Sequence, residues 1–172
     1  MNIPIYYNET TDEFTKDLTL QMRVENYINK HFYPAYIISQ IAPIYLLGGS
    51  IRDLIFAKTP KDLDFVVMGK QNKDFVLKVF DRLNIEYRFN KFGGFKFNYN
   101  DVEVDLWLTD DLFSSIEYNV DGLFYDVNNK SLISFTFDDF LTNGLRLVND
   151  SNNKPSEERK KKLMNFQKDL IK

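Results

Sequence analysis

Cysteine is absent from this chain, and histidine occurs once, as His31. Without thiols there is no disulfide, no thiolate metal site and no cysteine nucleophile. With one imidazole, a histidine metal cage and a two-histidine zinc site are excluded, and a Ser-His-Asp triad has only His31 to build on. Long apolar runs are missing as well. The longest, near Tyr36–Ile38 and Ala42–Leu47, fall far short of a bilayer span. Met1–Asn8 has no basic cluster leading into an apolar stretch, so no signal peptide is expected there. These absences lead to an expectation of cytoplasmic residence with no membrane partner. Excess positive charge is also lacking: 22 Lys and Arg stand against 25 Asp and Glu, a net charge of −3. A blanket nucleic-acid coat is excluded, so any nucleic-acid contact has to be a local basic patch.

What is present is an ordinary globular balance. The 172 residues are 44% hydrophobic and 27% charged, which suits one domain with a small appendage. Apolar periodicity predicts a helix over Thr10–Phe32, capped at Thr11 or Asp12, and a short helix over Ala35–Ile41. A strand is expected at Ile44–Leu47, a helix at Gly49–Phe56 and a second strand at Leu63–Met68. Asn72–Leu83 places Phe75, Val76, Val79, Phe80 and Leu83 on one helical face. Strands follow at Ile85–Asn90, Gly94–Tyr99 and Val102–Leu108, with Asn100-Asp101 as a hairpin turn. Two more are expected at Leu123–Val127 and Leu132–Phe135. Asn149–Ser156 reads as a linker, and a basic helix runs from about Pro155 to Ile171. The expected fold class is α/β (α+β): a small mixed, mostly antiparallel sheet flanked by helices on one face. The expected division is 1–150 for the main domain and 151–172 for the linker and basic helix.

The chemistry concentrates in Leu47-Gly48-Gly49-Ser50-Ile51-Arg52-Asp53 and Lys61-Asp62-Leu63-Asp64-Phe65. A strand that ends in two glycines and turns at once into a helix lets backbone approach a ligand closely. The free N–H groups of the helix start favour an anion, so Gly48, Gly49 and Ser50 form a candidate phosphate cradle. Arg52 adds a planar donor suited to phosphate. Asp62 and Asp64 are two apart on a strand and face the same way. Paired carboxylates invite a divalent cation, and Mg²⁺ favours carboxylates, water and substrate phosphates. In Asp101–Leu108 the apolar residues alternate with Asp101, Glu103, Asp105 and Trp107, which makes Asp105 the leading third carboxylate and Glu103 the second.

Gly48-Gly49-Ser50-Ile51-Arg52-Asp53-Leu54 with Asp62-Leu63-Asp64 resembles the signature of the polymerase-β-type nucleotidyltransferase superfamily. The Arg52-Asp53 pair and the spacing to Asp62 bring it nearest to the branch of class II tRNA CCA-adding enzymes and bacterial poly(A) polymerases. Phe92-Gly93-Gly94-Phe95, leading to the Asp105 strand, resembles the central hairpin of that family. Glu117–Asp126 partly resembles its second motif, RRDFTINALxYD, with Ser115 and Ile116 where two arginines are expected and Asp121 in place of the asparagine. Leu145–Val148 resembles the strand that closes the catalytic head, and the helix from Pro155 resembles the start of a neck.

The resemblance implies a nucleotidyltransferase head fold and transfer of NMP from an NTP, such as ATP, to a hydroxyl acceptor. It implies Mg²⁺ or Mn²⁺ as cofactor, with Asp62, Asp64 and Asp105 as catalytic metal ligands and Gly48, Gly49, Ser50 and Arg52 on the nucleotide. The implied acceptor is the 3′ end of an RNA resembling tRNA. Transfer to a small molecule or a protein is one alternative, and a catalytically inert nucleotide-binding relative is another. A pocket that switches between CTP and ATP is not expected within these residues. His31 is expected to be a helix-end residue, Asp53 to orient Arg52, and Lys58 and Lys61 to flank the cradle.

Overall fold

The structure, a computed structural model, describes residues 7–8, 13–14, 18–149 and 156–172. Its elements in chain order are β1 (Tyr7–Asn8), β2 (Glu13–Phe14), α1 (Leu18–His31), α2 (Pro34–Ile38), β3 (Ile44–Leu46), α3 (Gly48–Ile55) and β4 (Asp62–Met68). Then come α4 (Lys73–Arg82), β5 (Arg88–Phe89), β6 (Phe95–Tyr99), β7 (Val102–Thr109), β8 (Leu123–Asp126), β9 (Ser131–Ser134), α5 (Phe137–Asn143) and α6 (Glu157–Ile171). Short 3-10 turns sit at Lys70–Asn72, Leu112–Ser115 and Asn119–Gly122.

Strands β3 to β9 form one sheet in the order β5-β6-β7-β4-β3-β8-β9. Only β4 and β7 run parallel, so the sheet is mixed and mostly antiparallel, as expected. Alternate residues of β3, β4, β6, β7 and β8, among them Leu63, Phe65, Val67, Val104 and Leu106, enter one apolar cluster. Side chains from α1 to α6 join that same cluster, including Val24, Ile38, Leu54, Phe80, Phe140 and Leu163. The helices therefore cover one face of the sheet. The opposite face is left to carry the polar partners of the alternation, and there lies the site.

Several boundaries differ from the sequence reading. The helix expected from Thr10 begins at Leu18, Glu13–Phe14 is a strand, and the proposed caps Thr11 and Asp12 lie outside the described residues. Ile85–Asn90 shrinks to a two-residue strand because the Ile85 amide still bonds back to the Phe80 carbonyl, finishing α4. Leu145–Val148 forms a single bridge between Leu147 and Tyr118 instead of a strand. Helix α5 has no counterpart in the sequence reading. Its seven residues are too few for periodicity to declare themselves. Most of the linker, residues 150–155, lies outside the described set. The Asn100-Asp101 turn forms as expected, with φ of 45° and 64°, left-handed values that Asn and Asp tolerate.

Candidate active site

Helix α3 starts directly where β3 ends. Leu47 is extended at its N-cap and no side chain caps the turn, so the first amides face outward unclaimed by a cap. Arg23 holds the other end, donating to the carbonyls of Leu54 and Ile55 at 3.1 and 3.3 Å. A Cβ at Gly48 would stand 3.1 Å from both Arg52 Nη1 and the Leu123 carbonyl, tighter than an alanine accepts without a shift. A Cβ at Gly49 would lie 3.9 Å from Arg52 Nη2 and 4.0 Å from Asp64 Oδ2. The bare backbone at Gly48 thus lets the guanidinium close on the helix start, while at Gly49 both the guanidinium and the carboxylate stand at ordinary contact distance. Ser50 is buried, and its hydroxyl donates to the Leu47 carbonyl at 3.3 Å, so only its backbone N–H remains for a ligand.

The carboxylates are set by strand register. Asp64 is paired with Asp105 across the parallel β4–β7 ladder, and Asp105 is paired with Lys96 across β6–β7. One rung of the sheet therefore carries Asp64, Asp105 and Lys96 on the polar face. The next rung carries Asp62 and Glu103. Asp64 is half-buried, and its carboxylate makes no hydrogen bond or ion pair among the described residues. Burial first, then the charges of Asp62 and Asp105, push its carboxyl up to about 6, against weaker opposing pulls from Lys96 and Arg52.

Asp105 is engaged. Lys96 Nζ donates to its Oδ2 at 3.2 Å and Asn90 Nδ2 to its Oδ1 at 3.4 Å, while Lys96 also pairs with Glu103 at 2.5 Å. Among the described residues no three acidic or histidine side chains stand together closely enough to hold a metal ion. The donor set nevertheless suits a hard cation: Asp62 and Asp64 share one strand face, a third carboxylate sits opposite Asp64, and Asp64 carries unrelieved like-charge repulsion. Lys96 occupies Asp105 in its place.

On the other side of Asp64 sits a second group. Arg52 donates to Asp121 Oδ1 at 3.2 Å, and Arg159 of α6 donates to the same oxygen at 2.8 Å. Arg159 also forms an ion pair with Glu117. The Tyr118 amide satisfies Asp121 Oδ2 at 2.9 Å. Burial and the Arg52 charge pull the Arg159 guanidinium below its ordinary value, and Asp64 acts in the opposite sense. α6 is seated by its apolar stripe: Leu163 and Leu170 are buried, and the Phe166 ring lies 6.1 Å from Phe140 and 5.7 Å from Phe56. Its lysines 160, 161, 162, 168 and 172 face solvent.

Other expectations resolve as follows. Asp53 makes no ion pair with Arg52, whose partner is Asp121. His31 closes α1, its ring 4.2 Å from Tyr27 and away from the carboxylates. Lys58 lies over the Phe56 ring and Lys61 is exposed. Trp107 does share the Asp105 face and lines the cavity beside it. The sequence reading missed Asn90, Lys96 and Arg159. The alternation Phe95-Lys96-Phe97 places Lys96 off the core face, but only the register identifies its partner. Nothing in the sequence signals Arg159.

No family model matches the sequence, and no curated protein sequence matches it. Solved structures do match by shape. The Thermotoga maritima CCA-adding enzyme in complex with a tRNA aligns over 85% of this chain and 37% of its own, at 19% identity and a TM-score of 0.58. A CCA-adding enzyme with ATP aligns over 77% of this chain and 36% of its own, at 19% identity and 0.57. A tRNA-processing enzyme with CTP aligns over 78% and 42%, at 18% identity and 0.57. The chain spans about two fifths of the length of these structures. What is shared is the arrangement of sheet and helices.

Proposed function

We propose that this chain, which carries the polymerase-β-type nucleotidyltransferase head fold, transfers a nucleoside monophosphate from an NTP to a hydroxyl at the 3′ end of an RNA. The reading rests above all on one observation. Asp64 lies between the uncapped start of α3 with Arg52 on one side and its strand partner Asp105 on the other. That order supports a triphosphate on the helix start and an acceptor hydroxyl near Asp105. The backbone of Gly48, Gly49 and Ser50 would bind phosphate oxygens, and Arg52, held by Asp121, would offer its remaining donors to them. Asp62, Asp64 and Asp105 would hold Mg²⁺ or Mn²⁺. When bound, the ion neutralises phosphate charge and favours ionisation of the attacking hydroxyl. The acceptor oxygen forms a bond to the α-phosphorus, and pyrophosphate leaves with the electron pair of the broken P–O bond. Asp105, once released by Lys96, would take the hydroxyl proton. The names of the shape relatives, which cover CCA-adding and tRNA-processing enzymes, favour RNA as the acceptor class.

One observation favours a second reading, an inert nucleotide-binding relative: Lys96 stands on Asp105, where a cation would have to sit. Incubation with each labelled NTP, Mg²⁺ or Mn²⁺ and total RNA decides between them, beside an Asp62→Ala/Asp64→Ala control. Label in RNA that disappears in the control supports transfer. Nucleotide binding without metal-dependent label in any acceptor supports the inert reading. Label on a small molecule or on protein moves the acceptor to those classes.

A further inference from the structure

A cavity of about 860 Å³ opens on the polar face of the sheet beside Asp105. Asp64 and Asp105 form part of its floor, and Lys70, Lys73, Lys91 and Lys96 stand around it. None of Gly48, Gly49, Ser50 or Arg52 lines it, so the cavity and the phosphate cradle meet only at Asp64. Lys96 is neutralised by Glu103 and Asp105. The ammonium groups of Lys70, Lys73 and Lys91 have no carboxylate partner among the described residues, though the Lys70 amide donates to Asp110. They arrive from three separate elements: the 3-10 turn after β4, the first turn of α4 and the loop between β5 and β6. Three unpaired cations around one concavity set up a positive potential over its mouth.

Aromatic rings alternate with these cations. Lys73 Nζ lies 5.5 Å over the Phe89 ring and Lys91 Nζ 4.8 Å over the Phe92 ring. Phe92 is 77% exposed and lines the cavity, a large apolar face open to a ligand, while Phe89, 58% exposed at the rim, packs one side on Tyr87 and Phe95. Trp107, the only tryptophan, lines the wall one alternation beyond Asp105. Cations that track a backbone beside rings that stack on bases are the physical make-up of a single-strand site. In-line displacement also requires the attacking hydroxyl to come from the side opposite the leaving pyrophosphate. With phosphates at α3, that side is this cavity.

We propose that the cavity seats the single-stranded 3′ end of the acceptor RNA, its phosphates on Lys70, Lys73 and Lys91 and a base against Trp107. The assignment rests on the transfer reading above and adds the face and the residues that receive the acceptor. The full chain is titrated with a single-stranded RNA oligonucleotide, without NTP, while Trp107 fluorescence and the anisotropy of end-labelled RNA are followed. RNA quenches Trp107, and log affinity falls with log salt at a slope of about −2, as three phosphate contacts to a single strand dictate. Lys70→Gln/Lys73→Gln/Lys91→Gln flattens that slope and weakens RNA binding roughly tenfold or more, while binding of a fluorescent ATP analogue stays unchanged. The corresponding Lys→Arg triple variant keeps RNA binding, which separates lost charge from lost fold. Wild-type RNA affinity in the Gln variant overturns the assignment. So does quenching of Trp107 by ATP that the Gln variant weakens, since the cavity would then hold the nucleotide. Transfer that depends on Asp62 and Asp64 but ignores these lysines removes the groove alone. RNA seated here with no transfer under any NTP or metal supports the groove and removes the transfer reading.

Discussion

Arg52 and Arg159 donate to a single oxygen of Asp121, one from the helix that follows the glycine turn and the other from the last helix of the chain. Two guanidinium groups are thereby brought side by side next to Asp64. The shared carboxylate makes their approach tolerable.

Removal of that carboxylate has a definite cost. The side chains of Arg52 and Asp121 are only 13% and 9% exposed, so breaking the pair leaves a largely desolvated cation. Asp121→Ala is expected to destabilise the chain by about 3 kcal/mol, read from the urea unfolding midpoint. Asp121→Asn retains the acceptor for the Tyr118 amide and should lose less. An unchanged midpoint in both variants would contradict the pairing.

Asp64 predicts an opposition between stability and activity. Its charge is unfavourable where it sits, because burial and two neighbouring carboxylates oppose it. In metal-free buffer at neutral pH, Asp64→Asn is expected to raise unfolding stability, by at most about 3 kcal/mol for a displacement of this size. The same variant is expected to abolish transfer. A loss of stability comparable to a core substitution would show that Asp64 is held by contacts not described here.

Added cation should stabilise the wild-type fold. Ligands that bind only the native state raise its stability by about 2.7 kcal/mol at a hundredfold excess over Kd. Mg²⁺ or Mn²⁺ is expected to raise the melting temperature of the wild type and to leave Asp62→Asn/Asp64→Asn unmoved. Lys96→Met should lower metal-free stability by about 2 kcal/mol, through loss of its charged hydrogen bonds, and tighten cation binding.

Gly122 predicts a packing failure. An added Cβ would collide with Thr136 Oγ1 and fall 2.8 Å from the Thr136 amide nitrogen, and the backbone cannot swing aside. Gly122→Ala is expected to cost about 3 kcal/mol, measured by chemical denaturation.

Acid should release the Asn119 turn. Asn119 donates to Asp139 Oδ2 at 2.7 Å and Asn143 to Oδ1 at 2.8 Å, and these bonds, Asn119 first, hold the Asp139 carboxyl below its ordinary 3.8. The folded value lies below the unfolded one. Its contribution is therefore complete above about pH 4 and is lost as pH falls through the lowered value. Asp139→Asn is expected to flatten that part of the acid limb in a series of urea midpoints.

The contrast between Asp105 and Arg159 shows how far sequence reading reaches. Asp62, Asp64 and Asp105 were placed on one face because strand alternation is local and has a period of two. The glycine turn was equally legible, since Gly48-Gly49 directly precedes a helical pattern. Lys96 has no place in the sequence reading: alternation in Phe95-Lys96-Phe97 is enough to take it off the core face, but its rung depends on which strands pair. Arg159 was read as one charge in a basic run. Its special place depends on how Leu163, Phe166 and Leu170 seat α6 against the domain, which is a tertiary fact. The altered stretch Ser115–Asp121 drew attention because arginines were missing from it, whereas the structure brings an arginine to Glu117 and Asp121 from elsewhere.

On the proposed reading, Lys96 would also set the terms on which the site is loaded. Its ammonium is already a counter-ion to Asp105 and Glu103. Cation binding would therefore be an exchange of one positive charge for another, and the incoming ion would have to outcompete a tethered rival whose local concentration never falls. Such a site would discriminate by charge density, a compact divalent ion displacing the ammonium more readily than Na⁺ or K⁺. The tether would act as a filter against monovalent salt, built from a single side chain on the neighbouring strand.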